Sequence, residues 1–214
     1  MTQHIEITHK TSANTATIRL TMLLGAVVFL LLMLFGIAMR AAQGQIIALE
    51  PTFFYQLMTA HGAGMVGAAA LTGSAIMWYF LGRYVQLSAL AYNVFLGLFL
   101  LGVVLVLGSV FIGGFAGAWT FLSPLPALSG GSWSIGAAAT FGLGLTAIGV
   151  GYIIFSLETG RAMIAGYGGL GRALAWPLIF TGKMDNVPPP AVIASASVTI
   201  FNTVGIVTGA AVLV

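Results

Sequence analysis

One histidine in this sequence lies where an imidazole could bind a ligand. His61 falls inside the apolar run 54–71, and the other two histidines belong to the polar N-terminal stretch. An ionisable side chain within hydrocarbon is costly, so His61 is a candidate functional residue. On a helix, Gly64 and Ala68 share the face of His61. A flat macrocycle needs such a shallow strip beside its axial imidazole, and haem fits both features.

The same residues also have a purely structural interpretation. Small residues at four-residue spacing allow membrane helices to approach closely, and a lone histidine can hydrogen-bond a neighbouring helix. The spacing of His61, Gly64 and Ala68 is compatible with both haem ligation and helix packing. Both interpretations therefore stay open at this point.

Other metal ligands are scarce in the chain. The sequence has no cysteine, which excludes disulfides, iron–sulfur clusters and thiolate metal sites. His4 and His9 lie five residues apart in the N-terminal tail, without a third ligand nearby. We expect them to be solvated. Any bound metal must be held by histidine, methionine or oxygen ligands.

The composition is that of a membrane protein. Hydrophobic residues make up 59% of the chain and charged residues 5%, far below the quarter usual in soluble domains. We therefore predict an all-α, polytopic helix bundle in contact with membrane lipid, and no nucleic-acid partner. Residues 1–19 form a polar tail. Five apolar runs are long enough to cross a bilayer as helices, at about 20–39, 53–81, 87–115, 134–157 and 191–214.

The basic residues predict an orientation. With a cytoplasmic N-terminus, six of the seven lysines and arginines lie on the inner side, and only Arg40 lies outside. This distribution follows the positive-inside rule. Arg40 is then the exception: it either snorkels at the membrane edge or pairs with a partner that carries negative or carbonyl oxygens.

Two connections and three spans have further features. The stretch 116–133, with Trp119, suits an ordered interfacial loop, and 158–190 is the longest connection, with a semi-apolar surface piece at 170–180. The third span is rich in Leu, Val and Phe and is predicted to face lipid. Two stripes at about one-turn spacing suggest helix packing, although the second could also line a hydrogen-bonded path: Gly136, Thr140 and Gly144, and Ser195, Thr199 and Thr203 with Asn202.

Four segments, in order, give the chain a family resemblance. It resembles the N-terminal part of subunit I of the haem–copper oxidases. The resemblance covers roughly residues 20–214. The matching segments are 39–44 (MRAAQG), 57–62 (LMTAHG), 90–95 (LAYNVF) and 119–125 (WTFLSPL).

The resemblance implies roles for the matching residues. His61 would be an axial ligand of the low-spin haem, of a or b type. Arg40 would lie at the periphery of that haem. Gly64 and Ala68 are placed beside it by helix geometry, since they share the face of His61. Trp119 and its loop would lie above the haem on the outer face of the membrane.

The chain lacks several ligand and channel residues that the family has. No histidine follows His61, so the second axial ligand and the copper centre are expected only in a partner chain or in a missing C-terminal part. The turn at 83–88 lacks the Asn and Asp residues that open one proton channel in the best-known branch. The chain also ends inside its fifth apolar run, so we expect it to be part of something larger.

The function implied by the resemblance is respiratory. The chain would carry electrons from cytochrome c or a similar donor through low-spin haem towards oxygen, coupled to proton translocation, in a bacterial or archaeal cytoplasmic membrane. It would be part of an enzyme only when completed by another chain, among the other oxidase subunits, or by the missing C-terminal part. Two alternatives remain: an electron-transfer, cytochrome-like subunit without oxygen chemistry, and a haem-free scaffold. A transporter is a weaker alternative, because no internal repeat is found.

Overall fold

The computed structural model describes residues 15–118, 120 and 128–213. Within these residues the fold is all-helical, without a strand. Five of its helices, α1, α2, α3, α4 and α7, are long and apolar enough to cross a membrane, which confirms the predicted polytopic architecture. The helices are α1 (Thr15–Gln43), α2 (Pro51–Leu81), α3 (Ala89–Phe111), α4 (Ile135–Tyr167), α5 (Leu170–Ala173), α6 (Trp176–Thr181) and α7 (Pro190–Leu213).

Three of the long helices begin at side chains that cap them. Glu50, Ser88 and Ser134 precede α2, α3 and α4, and each accepts a hydrogen bond from a backbone amide of the first turn. Such caps satisfy amides that have no partner within the helix, which matters most near a membrane. At the other end of α4, Gly168 takes a left-handed conformation with φ of 77° and terminates the helix.

Helices α3 and α4 are in backbone contact. A Cβ atom added to Gly102 would lie 2.5 Å from the carbonyl oxygen of Gly144, and one added to Gly144 would lie 2.8 Å from the carbonyl oxygen of Gly102. Only glycine permits this approach. The predicted stripe on α4 is thus partly right: Gly144 is at the contact, whereas Gly136 is exposed. The third span, expected to face lipid, buries one full face against α4.

An aromatic cluster joins α3 and α4 to α2. The Trp78 ring lies 5.0 Å from that of Tyr92 and 5.4 Å from that of Phe155, between ring centroids. Phe95 lies 5.0 Å from both Tyr152 and Phe155. These rings are almost fully buried. They fix three helices around one core, since large aromatic side chains dominate core energetics.

Helix α4 is longer than the predicted fourth span. The sequence predicted a connection from residue 158, but the helix continues to Tyr167. The charges that suggested an end of the span are paired within the fold. Glu158 accepts hydrogen bonds from the backbone amide of Ser88 and from Arg161, each at 2.7 Å. Paired charges can be retained in a partly buried helix, so the helix does not need to end there.

The remaining boundaries also differ in detail. Helix α1 begins at Thr15, inside the predicted polar tail 1–19. The surface piece predicted at 170–180 consists of two short helices, α5 and α6, separated where Ala175 adopts a left-handed φ of 56°. None of the α6 residues is buried.

The hydroxyl stripe on α7 packs against α4. Thr199 and Thr159 are both buried, and their Oγ1 atoms lie 2.9 Å apart in a hydrogen bond between the two helices. Thr203 donates to the carbonyl oxygen of Thr199 in its own helix. In this structure Thr199 therefore joins α7 to α4.

Candidate functional site

The imidazole of His61 crosses from α2 to α1. Its Nδ1 atom lies 2.7 Å from the backbone carbonyl oxygen of Leu32. Because a carbonyl oxygen can only accept, Nδ1 must carry the proton in this hydrogen bond. In the neutral ring, the lone pair then belongs to Nε2, the atom available for a metal. Nε2 has no hydrogen-bond partner among the residues that the structure describes.

Gly36 on α1 makes room for the ring. A Cβ atom added there would lie 3.0 Å from Cε1 of His61 and 3.5 Å from each ring nitrogen. The imidazole therefore lies against bare backbone. Sequence reasoning missed both Gly36 and Leu32. Gly36 lies one helical turn before Arg40, a spacing that could have drawn attention to it.

A groove opens beside the imidazole, with a volume of about 510 Å³. Its lining includes two groups that can be charged, His61 and Arg40, and is otherwise apolar. An open, largely apolar wall with few polar groups can form one side of a cofactor site, and the same composition is ordinary on the lipid-facing surface of a membrane helix. The remaining lining residues are Met33, Gly36, Ile37, Ala41 and Ile46.

Arg40 brings a positive charge to the rim of this groove. Its side chain is exposed, and Nη1 donates to Oε1 of Gln43 at 2.8 Å. Within the described residues, the one ion pair joins Arg161 to Glu158, so Arg40 has no acidic partner there. The guanidinium therefore remains able to pair with an anion.

The strip of small residues beside His61 is covered by α1. A Cβ atom added to Gly64 would lie 2.8 Å from both methyl carbons of Leu32, and Ala68 is buried. Gly64 and Ala68 thus serve the packing of α1 on α2 in this structure. The open space beside the imidazole lies instead along the α1 residues Met33, Gly36 and Ile37.

The loop that contains Trp119 begins close to α2. Trp119 itself lies outside the described residues. Its neighbour Ala118 donates from its backbone amide to Oγ1 of Thr59 at 2.8 Å, two residues before His61 in the chain. Gln56, one turn earlier on α2, donates to the carbonyl oxygen of Val110 on α3. The first contact places Ala118 at the end of the bundle where Arg40 lies, and the second joins α2 to α3 at the same end.

The described residues offer no larger metal centre. No group of three His, Asp or Glu side chains is close enough there to hold a metal ion. Comparison of the chain with protein-family models, curated proteins and solved structures finds no match. The site consists of one oriented imidazole, one guanidinium without an acidic partner among the described residues, and an apolar groove.

Proposed function

We propose that this chain is the N-terminal part of a haem–copper oxidase subunit I and that His61 ligates its low-spin haem iron. One observation carries the proposal. The Leu32 carbonyl holds the proton on Nδ1, which leaves the lone pair of Nε2 on a ring that lines an open groove. Metal-binding histidines almost always donate their second ring N–H to such an acceptor, which fixes the tautomer and orients the ring.

The residues around His61 suit a haem edge. Met33, Ile37 and Ile46 offer apolar contact, while Arg40 offers a cation for the carboxylates that haem carries. When bound, haem supplies a reversible one-electron change of its iron. This chain orients one axial ligand, excludes water from one side of the macrocycle and places a positive charge near its periphery. A nearby positive charge favours the reduced iron.

The charge distribution supports an orientation for the site. Five of the six described lysines and arginines belong to the end of the bundle opposite Arg40, and Lys10 precedes that end in the sequence, so we infer a cytoplasmic N-terminus under the positive-inside rule. The groove then lies towards the outer side of a bacterial or archaeal cytoplasmic membrane. Electrons from cytochrome c or a similar donor would reach it from that side. Proton translocation belongs to the whole oxidase.

The proposal requires ligands from outside the residues of this sequence. A six-coordinate haem needs a second axial ligand, and no histidine follows His61 in the sequence. That ligand, together with the copper centre, must come from a partner chain or from a further part of the same protein. The described residues therefore form one wall of a shared site.

A visible spectrum of the native, detergent-purified complex tests the proposal. The reduced-minus-oxidised difference should contain a low-spin haem band that is absent from a His61→Ala variant and retained in a His9→Ala control. Oxygen uptake should be lost together with the band. If His61→Ala assembles and keeps the same band, the ligand assignment is wrong.

Two alternatives are separated by the same preparation. A complex with the band but without oxygen uptake would be an electron-transfer subunit. A complex without Soret absorbance would be a haem-free scaffold. The scaffold has a specific observation in its favour: Gly64, on the helix face of His61, is covered by Leu32.

A further inference from the structure

Helix α6 carries apolar side chains that the described part of the fold leaves uncovered. Among the described helices it packs against α5 alone, and none of its residues is buried. Trp176, Leu178, Ile179 and Phe180 are all exposed. Because successive residues of a helix are about 100° apart, these side chains point in all directions around the axis. A protein partner would contact one side of such a helix, whereas lipid reaches every open side.

The residues that flank α6 are typical of the edge of a membrane. Helix α6 lies in the connection between α4 and α7, at the end of the bundle where α2 ends and α3 begins. Arg172, Lys183 and Asp185 are exposed on either side of it in the chain. Tryptophan beside lysine and arginine is usual at the interface, and α6 is too short to cross a bilayer. These features favour a position at the boundary between acyl chains and headgroups.

A polar pocket of about 250 Å³ lies at the base of this segment. One side is formed by the end of α4 and by Arg172, and the other by residues 184–186. A Cβ atom added to Gly168 would lie 3.9 Å from Cδ of Arg172, so the stem of the arginine lies along the end of α4. Because both sides of the pocket are close to α6 in the chain, the pocket is at the depth of lipid headgroups.

The pocket presents both signs of charge. Arg172 and Asp185 line it, but the one ion pair of the described residues joins Arg161 to Glu158. The guanidinium and the carboxylate of the pocket are therefore each able to pair with a ligand. The end of α4 adds backbone carbonyls without partners in the helix, and the negative end of the helix dipole, both of which favour a cation. The charges suit a ligand that carries an anion and a cation together.

Phosphatidylethanolamine carries this pair of charges. Its phosphate suits the guanidinium of Arg172, and its primary ammonium can donate three hydrogen bonds to the carboxylate of Asp185 and nearby carbonyls. Phosphatidylcholine has the same charges, but its quaternary ammonium has no N–H to donate. Phosphatidylglycerol has no cation. A soluble phosphate ester has no acyl chain for α6 to contact.

We propose that the pocket binds the headgroup of phosphatidylethanolamine, with the phosphate at Arg172 and the ammonium at Asp185, while α6 contacts the acyl chains. The inference goes beyond the proposed function. It uses neither His61 nor haem, so the two proposals can fail separately.

Photochemical cross-linking tests the proposal. The native complex is reconstituted into vesicles of equal parts phosphatidylethanolamine, phosphatidylcholine and phosphatidylglycerol with identical acyl chains. Phe180 is replaced by p-benzoylphenylalanine, and the adducts are identified by mass spectrometry. We expect phosphatidylethanolamine to react about threefold more than phosphatidylcholine, the effect of one exposed ion pair.

The matched position is Phe201, an exposed aromatic residue of α7 that does not line the pocket. The same replacement there should react with the three lipids equally. Adducts with polypeptide at position 180, or the same lipid preference at both positions, would overturn the proposal.

Variants of the two charged residues then test the pocket itself. Asp185→Asn keeps the shape of the side chain but removes its charge, so the preference at position 180 for phosphatidylethanolamine over phosphatidylcholine should fall towards equality. Arg172→Gln should lower the yields of all three lipids, since each carries the phosphate. Lys183→Gln is the control, because Lys183 is exposed beside the pocket without lining it. An unchanged preference in Asp185→Asn, or an equal loss in Lys183→Gln, would exclude the pocket as the site.

Discussion

The α3–α4 pair and the α1–α2 pair both place glycines at their contact, but these glycines face different atoms. On α3 and α4, Gly102 and Gly144 each face the backbone carbonyl of the other. On α1 and α2, Gly36 faces the imidazole of His61, and Gly64 faces the side chain of Leu32. The first pair is in backbone contact. The second pair is separated by side chains, and a groove opens beside one of them.

This difference separates a structural contact from a candidate binding site. Backbone atoms cannot move aside without moving a helix, so the α3–α4 contact is rigid and leaves no space for a ligand. Side chains can rotate, and within the part of the chain that the structure describes the imidazole on α2 makes one hydrogen bond. A site that receives a cofactor needs the second kind of contact.

The largest expected effect comes from breaking the rigid contact. Gly102→Leu forces a side chain into the backbone of α4, where even a Cβ atom would lie 2.5 Å from the Gly144 oxygen. We expect a loss of stability of about 3 kcal/mol or more, the upper range for overpacking. Thermal unfolding in detergent measures the loss. Gly97→Leu is the matched control on the same helix, because an added Cβ atom there meets nothing within 4 Å. Equal losses of stability in Gly102→Leu and Gly97→Leu would contradict a backbone contact between α3 and α4.

The next largest effect is expected at the contact between α1 and α2, beside the imidazole of His61. Gly36→Leu places a branched side chain where a Cβ atom alone would lie 3.0 Å from the imidazole. Because the ring must move, we expect the low-spin haem band to be lost while the protein still folds. Gly36→Ala should shift the band without removing it. Visible spectra and unfolding curves separate these outcomes, and a normal band in Gly36→Leu would exclude Gly36 from the site.

A smaller loss of stability is expected when the charged contact between α4 and the start of α3 is weakened. Glu158→Gln keeps the shape of the side chain but removes the charge that binds Arg161 and the Ser88 amide. Weakening these partly buried hydrogen bonds should cost about 1–3 kcal/mol of stability. Asp185→Asn is the control, an exposed carboxyl outside any ion pair of the described residues. If Glu158→Gln and Asp185→Asn lose the same stability, the turn between α2 and α3 does not depend on Glu158.

The smallest effect concerns the first turn of α2, which precedes His61. Hydrogen bonds from the backbone amides of Thr52 and Phe53 lower the pKa of the Glu50 carboxyl. A lowered pKa in the folded state means that this cap is intact above the ordinary glutamate pKa of about 4.3. It is lost as the pH falls through the lowered pKa. Amide exchange of Phe53 should therefore lose protection on acidification, and Glu50→Gln should abolish that pH dependence.

The sequence predicted the five membrane helices because twenty-residue apolar runs have few alternatives in a bilayer. It missed the extension of α4 to Tyr167, since the charges of Glu158 and Arg161 resemble the end of a span until their pairing is known. It also missed the burial of α3 against α4. The apolar character of α3 is nearly uniform around the helix, so the sequence does not indicate which face is buried.

The site was predictable in one part only. The depth of His61 in an apolar helix is visible in the sequence, and so is the isolation of Arg40 among the basic residues. The pairing of His61 with Leu32 and Gly36 depends on the register between α1 and α2. Small residues alone do not specify that register, and for the same reason the sequence could not show that Gly64 lies under Leu32.

An imidazole-rescue experiment is the most direct test of whether His61 ligates the haem iron. In His61→Gly the native complex would keep its groove but lose the side chain that we assign to the haem iron. We expect the low-spin band to disappear from the reduced-minus-oxidised spectrum and to return when imidazole is added to the buffer. An assembled His61→Gly complex that keeps its band without imidazole would contradict the assignment.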